Sequence, residues 1–153
     1  MKVLIAYDGS STSYQALKES LPMLESQNAE LLFLTVIPEM EISVLPPGGD
    51  LQPPWTGIAS QDLESQLKEN GQRVLEEAAH MAKEAGLAYK TKAIYGSPRL
   101  SICQVAEEEN VDLIVMGSRG LGPVKRLLLG SVGDYVVHHA PCSVFIARHQ
   151  EEG

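Results

Sequence analysis

Five short apolar runs alternate with segments of helical period along this chain. That alternation limits the possible fold more than any other feature of the sequence. The runs are residues 2–7 (KVLIAY), 30–37 (ELLFLTVI), 88–94 (AYKTKAI), 112–116 (DLIVM) and 143–147 (SVFIA). Strand and helix in strict alternation imply an α/β fold: an open five-stranded parallel sheet with helices on both faces and right-handed crossovers. The run at 30–37 is almost continuously apolar, as expected of a parallel strand covered on both sides. Lys90 and Lys92 fall on one face of the third run, which suggests an edge strand. The last run is apolar on every side, so it must be internal or covered by a second chain. At 153 residues, the chain is one domain, residues 1–153.

The helical segments carry their own start and stop signals. Ser10, Ser11 or Thr12 can cap a first helix, whose stripe is Tyr14, Leu17, Leu21 and Leu24. Pro22 should kink it or end it early. Ser60 is placed to cap a long second helix, with Asp62 and Glu64 in its first turn. Leu63, Leu67, Val74, Ala78, Met81 and Ala85 mark its buried stripe, and Gly86 is a fitting left-handed stop. Gly96, Ser97 and Pro98 open a third helix, serine as N-cap and proline at the first helical position. Its apolar face is Ile102, Val105 and Ala106. Ser131 and Asp134 have capping-box spacing, so a fourth helix starts near Ser131 and stops before Pro141.

One segment resists regular structure. Residues 38–57 hold five prolines and three glycines in twenty positions, along with Trp55, the only tryptophan. A loop this long within a compact domain is usually functional or mobile.

Charge narrows the partners. Acidic residues outnumber basic ones 20 to 12, for a net charge of −8. Such a chain repels a phosphate backbone and an anionic membrane surface at long range, so neither nucleic acid nor membrane is an expected partner. Yet residues 117–148 carry Arg119, Lys125, Arg126 and Arg148 against Asp134 alone, a local charge of +3. A basic stretch in an acidic protein suits a small anion, because steering depends on the local field. No run nears the roughly 20 apolar residues of a membrane span, and the opening run is too short for a secretory signal. Cys103 and Cys142 sit alone in apolar surroundings and are expected to be buried thiols. A cytoplasmic location follows as the expectation.

Gly117, Gly120, Gly122 and Gly130 lie between the fourth strand and the fourth helix. In open α/β sheets, ligands sit beyond the carboxyl ends of the strands, where the winding reverses. Glycine lets the backbone N–H groups approach a ligand closely. Successive amides form an anion-binding nest, and a helix N-terminus adds free amides and the positive end of its dipole. The Ser131 hydroxyl can reach the same anion. A glycine-rich connection holding no ligand is the alternative. The Walker A loop is absent, since no Gly-Lys pair occurs. The G-x-G-x-x-G fingerprint fails as well, because its third glycine would fall at Lys125.

Gly117, Gly120, Gly130 and Ser131 form the pattern G-x-x-G-x9-G-S. With LIAYDGS after the first strand, LTVIPE ending the second, DLIVMGSRG and PCSVFIAR, the chain resembles the universal stress protein family over its whole length. The resemblance implies a Rossmann-like sheet of strand order 3-2-1-4-5 and a homodimer formed through the last strand, 143–147. In the nucleotide-binding branch it implies ATP, with AMP or ADP also acceptable, held across the carboxyl ends of strands 1 and 4. Asp8 would meet the ribose or a phosphate-bound Mg or Mn. Ala6 and Val36 would flank the adenine, with Met116 nearby. Gly117, Gly120, Gly130, Ser131 and Val132 would hold phosphates and ribose, and Arg119 could contact a phosphate. The function implied is that of a nucleotide-sensitive switch in the stress response, acting on an unidentified protein partner. The alternative is a nucleotide-free dimerisation scaffold of the same fold.

Asp8 could instead cap the first helix. His138 and His139, at a helix C-terminus, lack a third ligand nearby in sequence, and His80 falls on a solvated helix face. Fast ATP hydrolysis needs an oriented water and groups that stabilise developing charge. No residue stands out as a water-activating base, so the expectation is at most a slow ATPase. Nucleotidyl transfer would need an SGGxDS-type loop or paired HxGH-type histidines, and the sequence has neither.

Overall fold

The computed structural model of this chain describes residues 1–39, 56–118 and 129–148, with residues 56–61 described by their backbone alone. Five strands and four helices alternate: β1 Lys2–Ala6, α1 Ser11–Ser26, β2 Glu30–Ile37, α2 Thr56–Glu84, β3 Tyr89–Tyr95, α3 Pro98–Glu108, β4 Leu113–Gly117, α4 Ser131–His139 and β5 Ser143–Ala147. The strands form one parallel sheet of order β3-β2-β1-β4-β5. β1 is central, pairing Ala6 with Leu34 on one side and Ile5 with Val115 on the other.

Side chains alternate across this sheet. Val3, Ile5, Phe33 and Val115 face one way and pack with Leu17 and Leu24 of α1 and with Val74, Leu75 and Ala78 of α2. Leu4, Leu32, Leu34, Ile114 and Met116 face the other way and pack with Ile102 and Val105 of α3 and Val136 of α4. Each fully buried aliphatic or aromatic side chain of this kind stabilises the fold by roughly 1.5–3 kcal/mol relative to exposure. β3 and β5 are the edges.

Several local expectations are corrected. α1 runs through Pro22 to Ser26. Pro22 and Lys18 both lie on the exposed side of α1. The Lys18 carbonyl left without its helical donor therefore faces solvent, while Leu21 and Leu24 hold the helix on the core. Tyr14 stands outside the buried stripe, which is Ser13, Ala16, Leu17, Ser20 and Leu24.

α2 begins at Thr56, so Ser60 lies inside it and Asp62 and Glu64 are beyond its first turn. Its stripe is buried only from Gly71 onward: Leu63 is exposed and Leu67 half-buried, whereas Leu75 and Ala82 join the core. The reason is length. A 29-residue helix spans about 43 Å at 1.5 Å per residue. The eight residues of β2 reach only about 26 Å at 3.3 Å per residue. Ser97 occupies the N-cap of α3, but its side chain makes no capping bond. α4 has Gly130 as its N-cap and Ser131 inside the helix, so the expected capping box does not form. Cys103 and Cys142 are free thiols, half-buried rather than fully buried. The expectations for Arg119, Gly120, Trp55 and most of the loop at 38–57 lie outside the described residues.

Candidate functional site

A cleft opens beyond the carboxyl ends of β1, β2 and β4, with a cavity of about 120 Å³. It lies where the winding reverses, since β1 has β2 on one side and β4 on the other. The structure brings Ala6, Asp8, Val36, Met116, Gly117, Gly130, Ser131 and Val132 together on its walls. The reading of the sequence missed Tyr7, Ser13, Leu34, Pro98, Ile102 and Gly133 as site residues, and took Ser10 and Thr12 only as cap candidates. Pro98 and Ile102 gave no signal beyond a helix start and an apolar face. Only the tertiary fold brings the first turn of α3 over the end of β2.

The cleft has two chemically distinct ends. Ala6, Leu34, Val36, Ile102 and Met116 belong to the core on the α3 and α4 side and give an apolar end. β2 continues to Ile37, whereas the β1–β2 ladder stops at Ala6 and Leu34. Val36 therefore stands past the end of its neighbour strand. The other end is polar: Asp8, Ser10, Thr12 and Ser13 from the start of α1, and Ser131 from α4.

The two helix starts are finished differently. In α1, Ser10 Oγ accepts the amide of Ser13 at 3.2 Å, so one orphan donor is satisfied internally. Asp8 Oδ1 accepts the amide of Ser10 at 2.9 Å, so Asp8 does shape the entry to α1. In α4, no side chain among the described residues caps the helix, and its first internal bond runs from the Asp134 amide to the Gly130 carbonyl at 3.0 Å. The amides of Ser131, Val132 and Gly133 precede that bond and have no intrahelical acceptor. An uncapped helix start on a cleft wall is suited to an anion, through both its amides and its dipole.

Tyr7 closes the floor behind Asp8. Its ring is buried, and its hydroxyl donates to Glu77 Oε1 of α2 at 3.0 Å. Burial first, and the hydrogen bond to Glu77 next, push its phenol well above the ordinary tyrosine range. Among the described residues, no group of three histidine, cysteine or acidic side chains could hold a metal ion by itself. No helix among them is long and apolar enough to cross a membrane. His138 and His139 bond through Nδ1 to the carbonyls of Asp134 and Tyr135 on their own helix.

Comparison with known proteins fits this geometry. The family model described as "Universal stress protein family" matches residues 1–148. Universal stress protein YxiE of Bacillus subtilis is 35% identical over 147 residues, 96% of this chain and 98% of the relative. Among solved structures, protein MJ0577 is 28% identical, with a TM-score of 0.79 over 99% of this chain and 97% of that one. A universal stress protein solved in complex with cAMP is 25% identical, with a TM-score of 0.71 over 99% and 98%. With its strand order, cleft and sequence in agreement, the chain belongs to the universal stress protein family.

Proposed function

We propose that this protein binds an adenine nucleotide, ATP in the first instance, in the cleft between β1 and β4. The observation that carries the reading is the start of α4, capped by no described side chain and facing a cleft whose other end is apolar. A nucleotide has the same division: a flat base and a string of anionic oxygens. The base lies among Ala6, Val36 and Met116. The phosphates lie on the amides of Ser131 and Val132, with Gly117, Gly120, Gly130 and Arg119 completing the loop. Each charge-assisted hydrogen bond contributes roughly 1.5–3 kcal/mol. Three or four of them supply much of the roughly −8 kcal/mol of a micromolar complex. The related protein solved with cAMP supports an adenine nucleotide as the ligand class.

Asp8 is the only carboxylate among the described lining residues. Magnesium is ordinarily held by one or two carboxylates together with substrate phosphates. The site therefore suits Mg²⁺ or Mn²⁺ arriving with the nucleotide, which would screen phosphate charge; Asp8 would hold it or meet the ribose. The chain acts as a nucleotide-sensitive regulator in the cytoplasm, with slow or no hydrolysis. A second copy pairs along β5, an edge strand whose Val144, Phe145 and Ile146 are only half-buried.

The test is direct. Small molecules released on denaturing the purified protein are identified, and ATP is titrated by calorimetry. Adenine nucleotide in the first experiment, or micromolar binding in the second, is expected, and Gly130→Val should abolish both. A protein that carries none and binds none is the dimerisation scaffold instead. Sedimentation then reports whether that dimer exists.

A further inference from the structure

Asp8 occupies the exposed turn between β1 and α1, and both of its neighbours rest on α2. On one side, Tyr7 is 1% exposed and donates its phenol hydrogen to Glu77 Oε1 at 3.0 Å. On the other, Gly9 has φ +80°, and a Cβ there would lie 2.8 Å from Cγ2 of Val74. Val74 and Glu77 are three residues apart, so they share one face of the helix. Neither lines the cleft.

We propose that Val74 and Glu77 are positioning residues for Asp8, so that α2 sets the polar end of the nucleotide site without touching the ligand. This rests on the nucleotide reading above. Asp8 Oδ1 is tied forward to the Ser10 amide, which fixes the side chain relative to α1. The backbone on either side is fixed by α2: the buried phenol anchors Tyr7, and the close seat against Val74 holds Gly9 in a left-handed conformation that glycine alone adopts readily. A carboxylate that must meet a ribose hydroxyl or a metal-bound phosphate loses its effect when displaced by about 1 Å. The apolar end is built on β1, β2, β4 and α3 and does not depend on this face of α2.

The experiment measures ATP affinity with magnesium for the whole chain, alongside thermal melts to confirm folding. Glu77→Ala should weaken binding roughly five- to tenfold, because the phenol loses its acceptor and the turn its anchor. Tyr7→Phe keeps the ring packing and should give the same loss. Glu77→Gln retains an acceptor oxygen and should restore near-native affinity, which a mere change in helix stability would not do. In an Asp8→Asn background, Glu77→Ala should change affinity less than twofold, since residues acting as one unit are not additive. Where Asp8→Asn leaves no measurable binding, the contrast of alanine with glutamine decides. The proposal is overturned if Glu77→Ala and Tyr7→Phe both bind as the native chain does, if glutamine is no better than alanine, or if the full loss persists without Asp8. A native chain that binds no nucleotide overturns the nucleotide reading itself, and the positioning role falls with it.

Discussion

A Cβ placed on Gly117 would lie 2.5 Å from the carbonyl oxygen of Thr12 and 2.6 Å from its carbonyl carbon. The end of β4 thus runs against the backbone of the first turn of α1. Gly117 is the first glycine of the loop pattern, but its lack of a side chain is used inside the protein. The contact joins the two elements that flank the cleft, so the polar end is held by backbone packing before any ligand arrives. Gly117→Ala should destabilise the fold by about 1–3 kcal/mol, the usual cost of overpacking, because backbone cannot turn aside as a side chain can. Urea unfolding of the variant measures it. An unchanged midpoint would mean that α1 moves away freely.

Gly133 presents the opposite case. A Cβ there meets Leu129 at 3.6 Å and Ile146 at 4.0 Å, ordinary contact distances. Gly133 also sits inside α4, where glycine is about 0.8–1 kcal/mol worse than alanine. Gly133→Ala should therefore stabilise the protein by up to about that amount, and the same urea titration reads it. A lower midpoint would show that the wall of α4 against β5 has less give than these distances indicate. The pair separates a glycine required by packing from one that packing does not require.

Most of the fold was legible because it depends on period and punctuation. The apolar runs at 30–37 and 143–147 coincide with β2 and β5, and Gly86 takes the left-handed conformation expected past the end of α2. What escaped depends on tertiary geometry. Tyr14 keeps helical spacing with Leu17, yet it lies beyond the sheet's cover. The start of α2 and the exposure of Leu63 follow from a helix longer than the strands beneath it. At the cleft, Gly130 announced itself through loop chemistry, whereas Asp8 was marked as a site residue only by the family resemblance. Leu34 and Ile102 looked like any other core residues, and only the end of a neighbouring strand exposes them to a cavity.

Glu109, at the end of α3, ties that helix to the sheet. Lys2 Nζ of β1 lies 3.0 Å from its Oε2, and Lys92 Nζ of β3 lies 3.9 Å from its Oε1. The hydrogen bond from Lys2 and then that lysine's charge hold its carboxyl below the usual glutamate range, with Lys92 and Lys90 adding to the effect. A depressed carboxyl stabilises the fold above its unfolded value, near 4.5, and that contribution is lost as pH falls through the folded value. Glu109→Gln should therefore be less stable than the native chain at pH 7. The difference should close in acid, below the folded value. Unfolding curves across this range check it, and a gap that stays constant in acid would assign the effect to packing rather than charge. The pair is partly solvated, so added salt should narrow the gap at pH 7.

Cys103 of α3 and Cys142, just ahead of β5, both pack against the core on the α3 and α4 side. Burial raises the thiol pKa of each above its ordinary value, and at Cys142 the nearby Asp112 and Cys103 raise it further. The thiolate is the reactive form. Both cysteines should therefore be alkylated by iodoacetamide at pH 8 several-fold more slowly in the folded protein than in urea, where burial is lost. Mass spectrometry of timed, quenched reactions resolves the two sites. Equal rates in folded and unfolded protein would show that both thiols are already in water, and would place the start of β5 further from α3 than its packing indicates.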